Sequence, residues 1–199
     1  MGLDSVELAI TLENKLGFII PDEDWAQTST IQDISNVFLK RLTIEPNNQC
    51  ISQRLFYKIR TALRELKIIP LDYEINRNTY IVDILSTNLT ATNWNKLEKK
   101  LMLKLPELVK MDFNKELDTH IRILGFKTIK RKKPVTKGTI EQLIGWIISL
   151  NYEKLIQLNK ISNKYELERV VSGIVSENIG LPINEIEMYH SITNDLGVD

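Results

Sequence analysis

Side chains able to do chemistry are few in these 199 residues and widely scattered. The two histidines, His120 and His190, and the single cysteine, Cys50, stand in unrelated contexts, so the ligand spacing of a zinc site is missing. Gly2 and Gly17 are isolated, which leaves no glycine-rich phosphate loop. Asp22-Glu23-Asp24 reads as a solvated helix edge rather than a general acid/base pair. Ser5, within Gly2-Leu3-Asp4-Ser5-Val6, is the exception, because it puts a hydroxyl on the first turn of a helix among acids.

That helix is read from its periodicity. Leu8, Leu12 and Leu16 recur every fourth residue with Ala9 and Ile10 beside them, while Asp4, Glu7, Thr11 and Asn14 mark the opposite stripe. Acids near its start suit the positive end of the helix dipole and offer a docking stripe to basic partners. Gly17 is placed to end it. Thr30-Ile31-Gln32-Asp33 has the form of a capping box, with Ile31, Ile34, Val37 and Phe38 as the apolar stripe that follows. Thr43 to Gln49, with Pro46-Asn47-Asn48, reads as a linker. Leu55, Phe56, Ile59, Leu63 and Leu66 define the next helix. Tyr165 to Asn178 forms another, with Leu167, Val170, Val171, Ile174 and Val175 inward and Gly180-Leu181-Pro182 stopping it. Trp25, Trp94 and Trp146 lie in or beside helices, where packing is their default role.

The chain resembles the acyl carrier proteins, four-helix domains that carry an acyl chain on a phosphopantetheine arm. In that family a loop reading roughly D-L-G-x-D runs into S-L-D-x-V-E-L, then L-E-x-x-F/L, I-P-D-E and a last helix opening T-T/S-V/I. This sequence matches Leu3-Asp4-Ser5-Val6-Glu7-Leu8, Leu12-Glu13-Asn14-Lys15-Leu16, Ile20-Pro21-Asp22-Glu23-Asp24 and Ser29-Thr30-Ile31. It supplies Asp195-Leu196-Gly197-Val198-Asp199 at the other extremity. The resemblance implies a carrier domain circularly permuted at its attachment point and closed through a long insert, as exposed, neighbouring termini allow.

The insert repeats the pattern. Pro70-Leu71-Asp72 through Thr79 to Asp83-Ile84 parallels Pro182-Ile183-Asn184 through Ser191 to Asp195-Leu196. Leu97-Glu98-Lys99-Lys100-Leu101 with Leu105-Pro106-Glu107 parallels Leu12 to Leu16 with Ile20-Pro21-Asp22. Thr139-Ile140-Glu141-Gln142-Leu143 echoes Thr30 to Ile34. Phe113, Leu117, Ile121 and Leu124 suggest an additional covering helix.

Aligning Val6-Glu7-Leu8, Leu12-Glu13 and Ile20-Pro21 with the family puts Gly2 at the attachment serine's place and Ser5 about one turn later. The resemblance therefore implies a carrier-like domain lacking its serine there, with Ser5 the candidate for 4'-phosphopantetheine if the domain is modified. Otherwise no cofactor is expected. Ser86 and Thr87 are weaker positions in the middle copy, since the flanking Asp and Leu-Asp are missing. Asp4, Val6, Glu7 and Glu13 are the expected partner-docking residues.

Composition bounds the rest. Hydrophobic residues at 43% permit a real core, and no apolar run reaches the roughly 18 residues of a membrane span. The acidic start lacks a basic region ahead of an apolar block, so no signal peptide is expected. One cysteine cannot form an internal disulfide, which fits a cytoplasmic setting. A net charge of zero hides an asymmetry. Residues 47–151 hold 19 bases and 10 acids, and the outer pieces together hold 16 acids and 7 bases. Lys127, Lys130, Arg131, Lys132, Lys133 and Lys137 make a basic loop over residues 127–137, read either as solvated or as a partner of the acidic part. Anion or nucleic-acid binding there is disfavoured because no aromatic platform accompanies it.

The expectation is thus an all-α protein of two acyl-carrier-like four-helix bundles. Residues 1–46 with 152–199 form the permuted one, and residues 47–151 the central, degenerate one with its basic insert. The resemblance implies a non-catalytic docking or carrier module for acyl-chain biosynthesis of the fatty acid or polyketide type. Its partners would be synthases or transferases, and exchange of the tail between copies would give a homodimer.

Overall fold

The computed structural model describes residues 3–44, 50–85, 91–113, 120–123, 126–130 and 133–198. They are mostly helical and divide into two units. One comprises Met1–Ile51 with Ile148–Asp199, and the other Ser52–Ile147.

In the first unit, α1 (Leu3–Leu16) buries Leu8, Leu12 and Leu16, and Gly17 closes it at φ +75° with its N–H on the Glu13 carbonyl at 2.8 Å. A positive φ there is open to glycine at little steric cost. The short α2 (Asp22–Trp25) ends on Trp25, whose ring meets Phe38 edge-on at 5.9 Å. α3 (Ile31–Leu39) starts in a complete capping box: Thr30 Oγ1 accepts the Asp33 N–H, and the Asp33 carboxylate accepts the Thr30 N–H. Late in the chain come α9 (Tyr152–Leu155) and α10 (Lys164–Ile179). α10 is capped by Asn163, which accepts the Glu166 N–H, and stops at Gly180 with φ +69°. Leu167, Val170, Val171, Ile174 and Val175 of α10 are all buried, and the helix packs on both α3 and α1. Residues from opposite ends of the chain therefore share one core.

The second unit contains α4 (Ile51–Glu65), α5 (Ile81–Leu85), α6 (Ala91–Leu101), α7 (Lys110–Phe113) and the start of α8 (Ile140–Leu150). It also contains one antiparallel hairpin, β1 (His120–Ile123) and β2 (Phe126–Lys130), pairing His120 with Lys130 and Ile123 with Phe126. The helix expected through Phe113, Leu117, Ile121 and Leu124 is thus replaced. α7 ends at Phe113 and Ile121 belongs to a strand, while Leu117 and Leu124 lie outside the described residues. The local composition explains the difference, because Ile121, Ile123, Thr128 and Ile129 are β-branched and Phe126 is aromatic, residue types that favour strands.

Backbone geometry recurs between the units. Glu13 Oε1 accepts the N–H of Ile20, seven residues on, at 2.8 Å; Glu98 Oε1 accepts that of Leu105, again seven residues on, at 3.2 Å. Met102, after α6, has the positive φ that Gly17 has after α1. The bond from Ile31 N to the His190 carbonyl is repeated from Ile140 N to Thr79, and that from Gln32 N to Met188 from Glu141 N to Arg77. Ile192 N to Ser29 O is repeated by Ile81 N to Gly138 O. In this bridge Thr79 takes the place of His190, one residue off the parallel with Ser191 drawn from sequence. The stretch from Pro70 to Thr79 is one residue longer than that from Pro182 to His190.

Candidate functional site

The N-terminal half of α1 has two unlike faces. Outward it shows Asp4, Val6, Glu7 and Ile10; the two aliphatic side chains are 41% and 51% exposed. Inward, half-buried Ser5 lies with Leu8 and Ala9 on the wall of a cavity of about 570 Å³. Trp25, Thr28, Ser29 and Ile34 form a second wall, and Ser191, Ile192, Thr193 and Asn194 a third. None of these side chains carries a formal charge. The site pairs an apolar floor with a rim of hydroxyls and one amide, a lining suited to an uncharged ligand or arm.

The third wall is a folded loop. Asp195 Oδ2 accepts the Ser191 N–H at 2.8 Å, Ser191 Oγ accepts the Asn194 N–H at 3.2 Å, and Val198 N–H reaches the Ile192 carbonyl at 3.1 Å. Gly197 turns at φ +71°, so that Leu196 and Val198 are both buried. The bridge from Thr30 to Ser191 fixes this loop to the start of α3.

Glu13, grouped in sequence with the docking residues, makes internal hydrogen bonds as well. Its Oε1 accepts both the Ile20 N–H and the Trp25 Nε1–H, the latter at 3.0 Å, and so closes the turn between α1 and α2. The outer face shows Asp4, Val6 and Glu7, with Ile10 as a fourth member that sequence reasoning assigned to the apolar stripe. Asp24, within the acidic run, pairs with Arg41.

Of the remaining candidates, Gly2, Ser86, Thr87, Arg131 and Lys132 lie outside the described residues. Lys127 and Lys130 belong to β2, and Lys133 and Lys137 are exposed. Pro134 and Val135, beside them, are buried, and Thr136 N–H donates to Asp112, a buried carboxylate that also accepts the Val109 N–H. Cys50 is exposed. His190 accepts the Glu187 N–H through Nδ1. Among the described residues no group of three or more His, Cys, Asp or Glu could hold a metal, and no helix is long and apolar enough to cross a membrane.

One cluster had no sequence signal. Lys15 Nζ donates to the Tyr152 hydroxyl at 2.8 Å and pairs with Glu153, and the Tyr152 hydroxyl donates to Glu177 at 2.9 Å. The hydrogen bonds to Glu153 and Tyr152 hold the Lys15 ammonium above its ordinary pKa. Burial, aided by the Glu177 carboxylate, pushes the Tyr152 phenol up to about 12 despite Lys15. Neither group is poised for proton transfer near neutrality; the cluster clips α1 to α9 and α10.

Comparison with family models, curated proteins and solved structures gives no match.

Proposed function

We propose that this protein is a non-catalytic docking module of the acyl-carrier type, serving acyl-chain biosynthesis by presenting α1 to synthases or transferases. The observation that carries the reading is the outer face of α1, where Asp4 and Glu7 run along one side of the exposed aliphatic groups of Val6 and Ile10. Carboxylates beside a small apolar patch steer a basic partner and then give it something to bury. In this reading Met1–Ile51 with Ile148–Asp199 is a permuted carrier-like bundle, and Ser52–Ile147 is a degenerate copy without an attachment serine. The recurring Glu13 and Glu98 bonds support common descent of the two.

A titration of the isotopically labelled chain with a ketoacyl synthase tests the docking. The α1 amide signals of Asp4, Glu7 and Ile10 are expected to shift, and Asp4→Lys with Glu7→Lys to abolish the response. Unmoved α1 signals overturn the reading.

A second reading, a working carrier phosphopantetheinylated on Ser5, is favoured by the position of Ser5 on the edge of the uncharged cavity. Intact mass after co-expression with a broad phosphopantetheinyl transferase decides between them. The docking reading expects an unchanged mass, and the carrier reading expects one added phosphopantetheinyl group that Ser5→Ala removes.

A further inference from the structure

The outer side of α4 is the chemical counterpart of the outer side of α1. Arg54, Tyr57, Lys58 and Thr61 are exposed one turn apart, with Tyr57 47% accessible. The Arg60 guanidinium lies over the Tyr57 ring at 4.9 Å from its centroid and over Phe56 at 5.7 Å, and Arg77 lies at 5.8 Å from Phe56. Arg77 is further tied to Glu141 and Ser52, and Lys58 donates to the Leu101 carbonyl. Ser52–Ile147 holds 19 bases against 10 acids.

Two kinds of polyanion fit a basic stripe with rings, and the stacking separates them. Strands of nucleic acid bind such surfaces by laying bases on open aromatic faces. Here guanidinium groups already lie over Phe56 and Tyr57. What remains is a row of cations around Tyr57, a half-accessible residue with Arg60 over its ring, the composition of a protein-binding centre, where Tyr and Arg are enriched. The matching surface carries carboxylates beside aliphatic side chains, spaced along a helix. Residues 3–16 supply that pattern, with Asp4 and Glu7 one turn apart and Val6 and Ile10 one turn apart.

We propose that the α4 face binds the α1 face of a second copy of this chain. The inference rests on α1 being a docking helix and names a partner for it. Because the two faces differ, the contact is heterologous, and each copy keeps one free face of each kind; association then continues beyond a dimer unless a ring closes.

Light scattering and sedimentation of the full chain test this. Average mass is expected to rise with protein concentration at low salt and to return to the monomer's at high salt, as screening demands. Asp4→Lys with Glu7→Lys, and separately Arg54→Glu with Arg60→Glu, are each expected to weaken association at least about tenfold. Mixing the two variants restores it, because each then offers the charge the other lacks; unfolded variants would show no such rescue. A monomer at every salt and concentration overturns the proposal, as does a mixture no larger than its components. So does a low-salt mass rise that the substitutions leave unchanged. Low-salt binding of labelled oligothymidylate that competes with self-association and is lost in Arg54→Glu with Arg60→Glu would assign the stripe to nucleic acid instead. If the α1 amides still answer to a synthase while the chain stays monomeric, self-recognition alone has failed.

Discussion

Glu13 of α1 and Trp25 at the end of α2 are joined by a 3.0 Å hydrogen bond from the indole N–H to Oε1, the same oxygen that takes the Ile20 N–H. One carboxylate thereby satisfies two donors in the turn that carries the chain from the first helix to the second. Glu13→Ala leaves both without a partner and is expected to lower unfolding stability by about 2 kcal/mol, whereas Glu13→Gln, which keeps an acceptor, costs less. Urea titration followed by Trp fluorescence measures the difference.

The Lys15, Tyr152 and Glu177 cluster should show itself at alkaline pH. Both Lys15 and Tyr152 hold their protons more tightly in the folded chain than the ordinary values of 10.5 and 10.0. The unfolded chain therefore loses protons first. Their contribution is full below about pH 10 and falls as pH rises through about 12, where the folded Tyr152 titrates. Melting temperatures are expected to be level from pH 7 to 9.5 and to drop above it. Tyr152→Phe costs about 1 kcal/mol at neutral pH and flattens the alkaline fall.

Asp33 acts at the acid end. Burial alone would raise its pKa, but hydrogen bonds from Thr30 and Ser29 outweigh that and hold it below the ordinary carboxylate value. Its contribution is present above that ordinary value and lost as pH falls through the lower folded pKa. Thr30→Ala and Asp33→Ala should each cost about 1 kcal/mol near pH 7, and the Asp33→Ala deficit should shrink in acid. Thermal denaturation followed by circular dichroism over pH 2.5 to 7 reads this.

Gly173 on α10 has no room for a methyl group. A Cβ there would sit 2.3 Å from the Ser149 carbonyl oxygen and 2.6 Å from the Tyr152 ring. Gly173→Ala is expected to destabilise by about 2 kcal/mol or more, despite alanine's better helix propensity. Gly180→Ala meets no neighbour within 4 Å and fails only through its positive φ, at about 1 kcal/mol. Chemical denaturation of both variants separates crowding from backbone strain.

The parts legible in the sequence are those written in local periodicity. Leu8, Leu12 and Leu16 announce α1, Thr30 with Asp33 announces the start of α3, and Gly180 marks the end of α10. Each depends on residues within a turn or two of one another. The β1–β2 pairing was obscured because Ile121 and Phe113 also fit a helical spacing, and only the β-branched and aromatic character of Ile121, Ile123, Phe126 and Ile129 favours strands. The cavity beside Ser5 was not legible, since its walls come from three separated segments. Lys15 and Tyr152 are 137 residues apart, beyond any local pattern. The internal bonds of Glu13 were not legible either, since sequence gives its helical position but not the indole that it meets.

The hydrogen bond between Asn178 and Thr11 spans 167 residues, and the packing of α10 on α1 is a closure between distant parts of the chain. Ser52–Ile147 is a compact unit lying in sequence between the two segments of the other, so it is free to fold before those segments meet. Until α10 docks, Leu8, Leu12 and Phe38 lack one of the helices that cover them, and the closure carries the loop entropy of the whole intervening stretch.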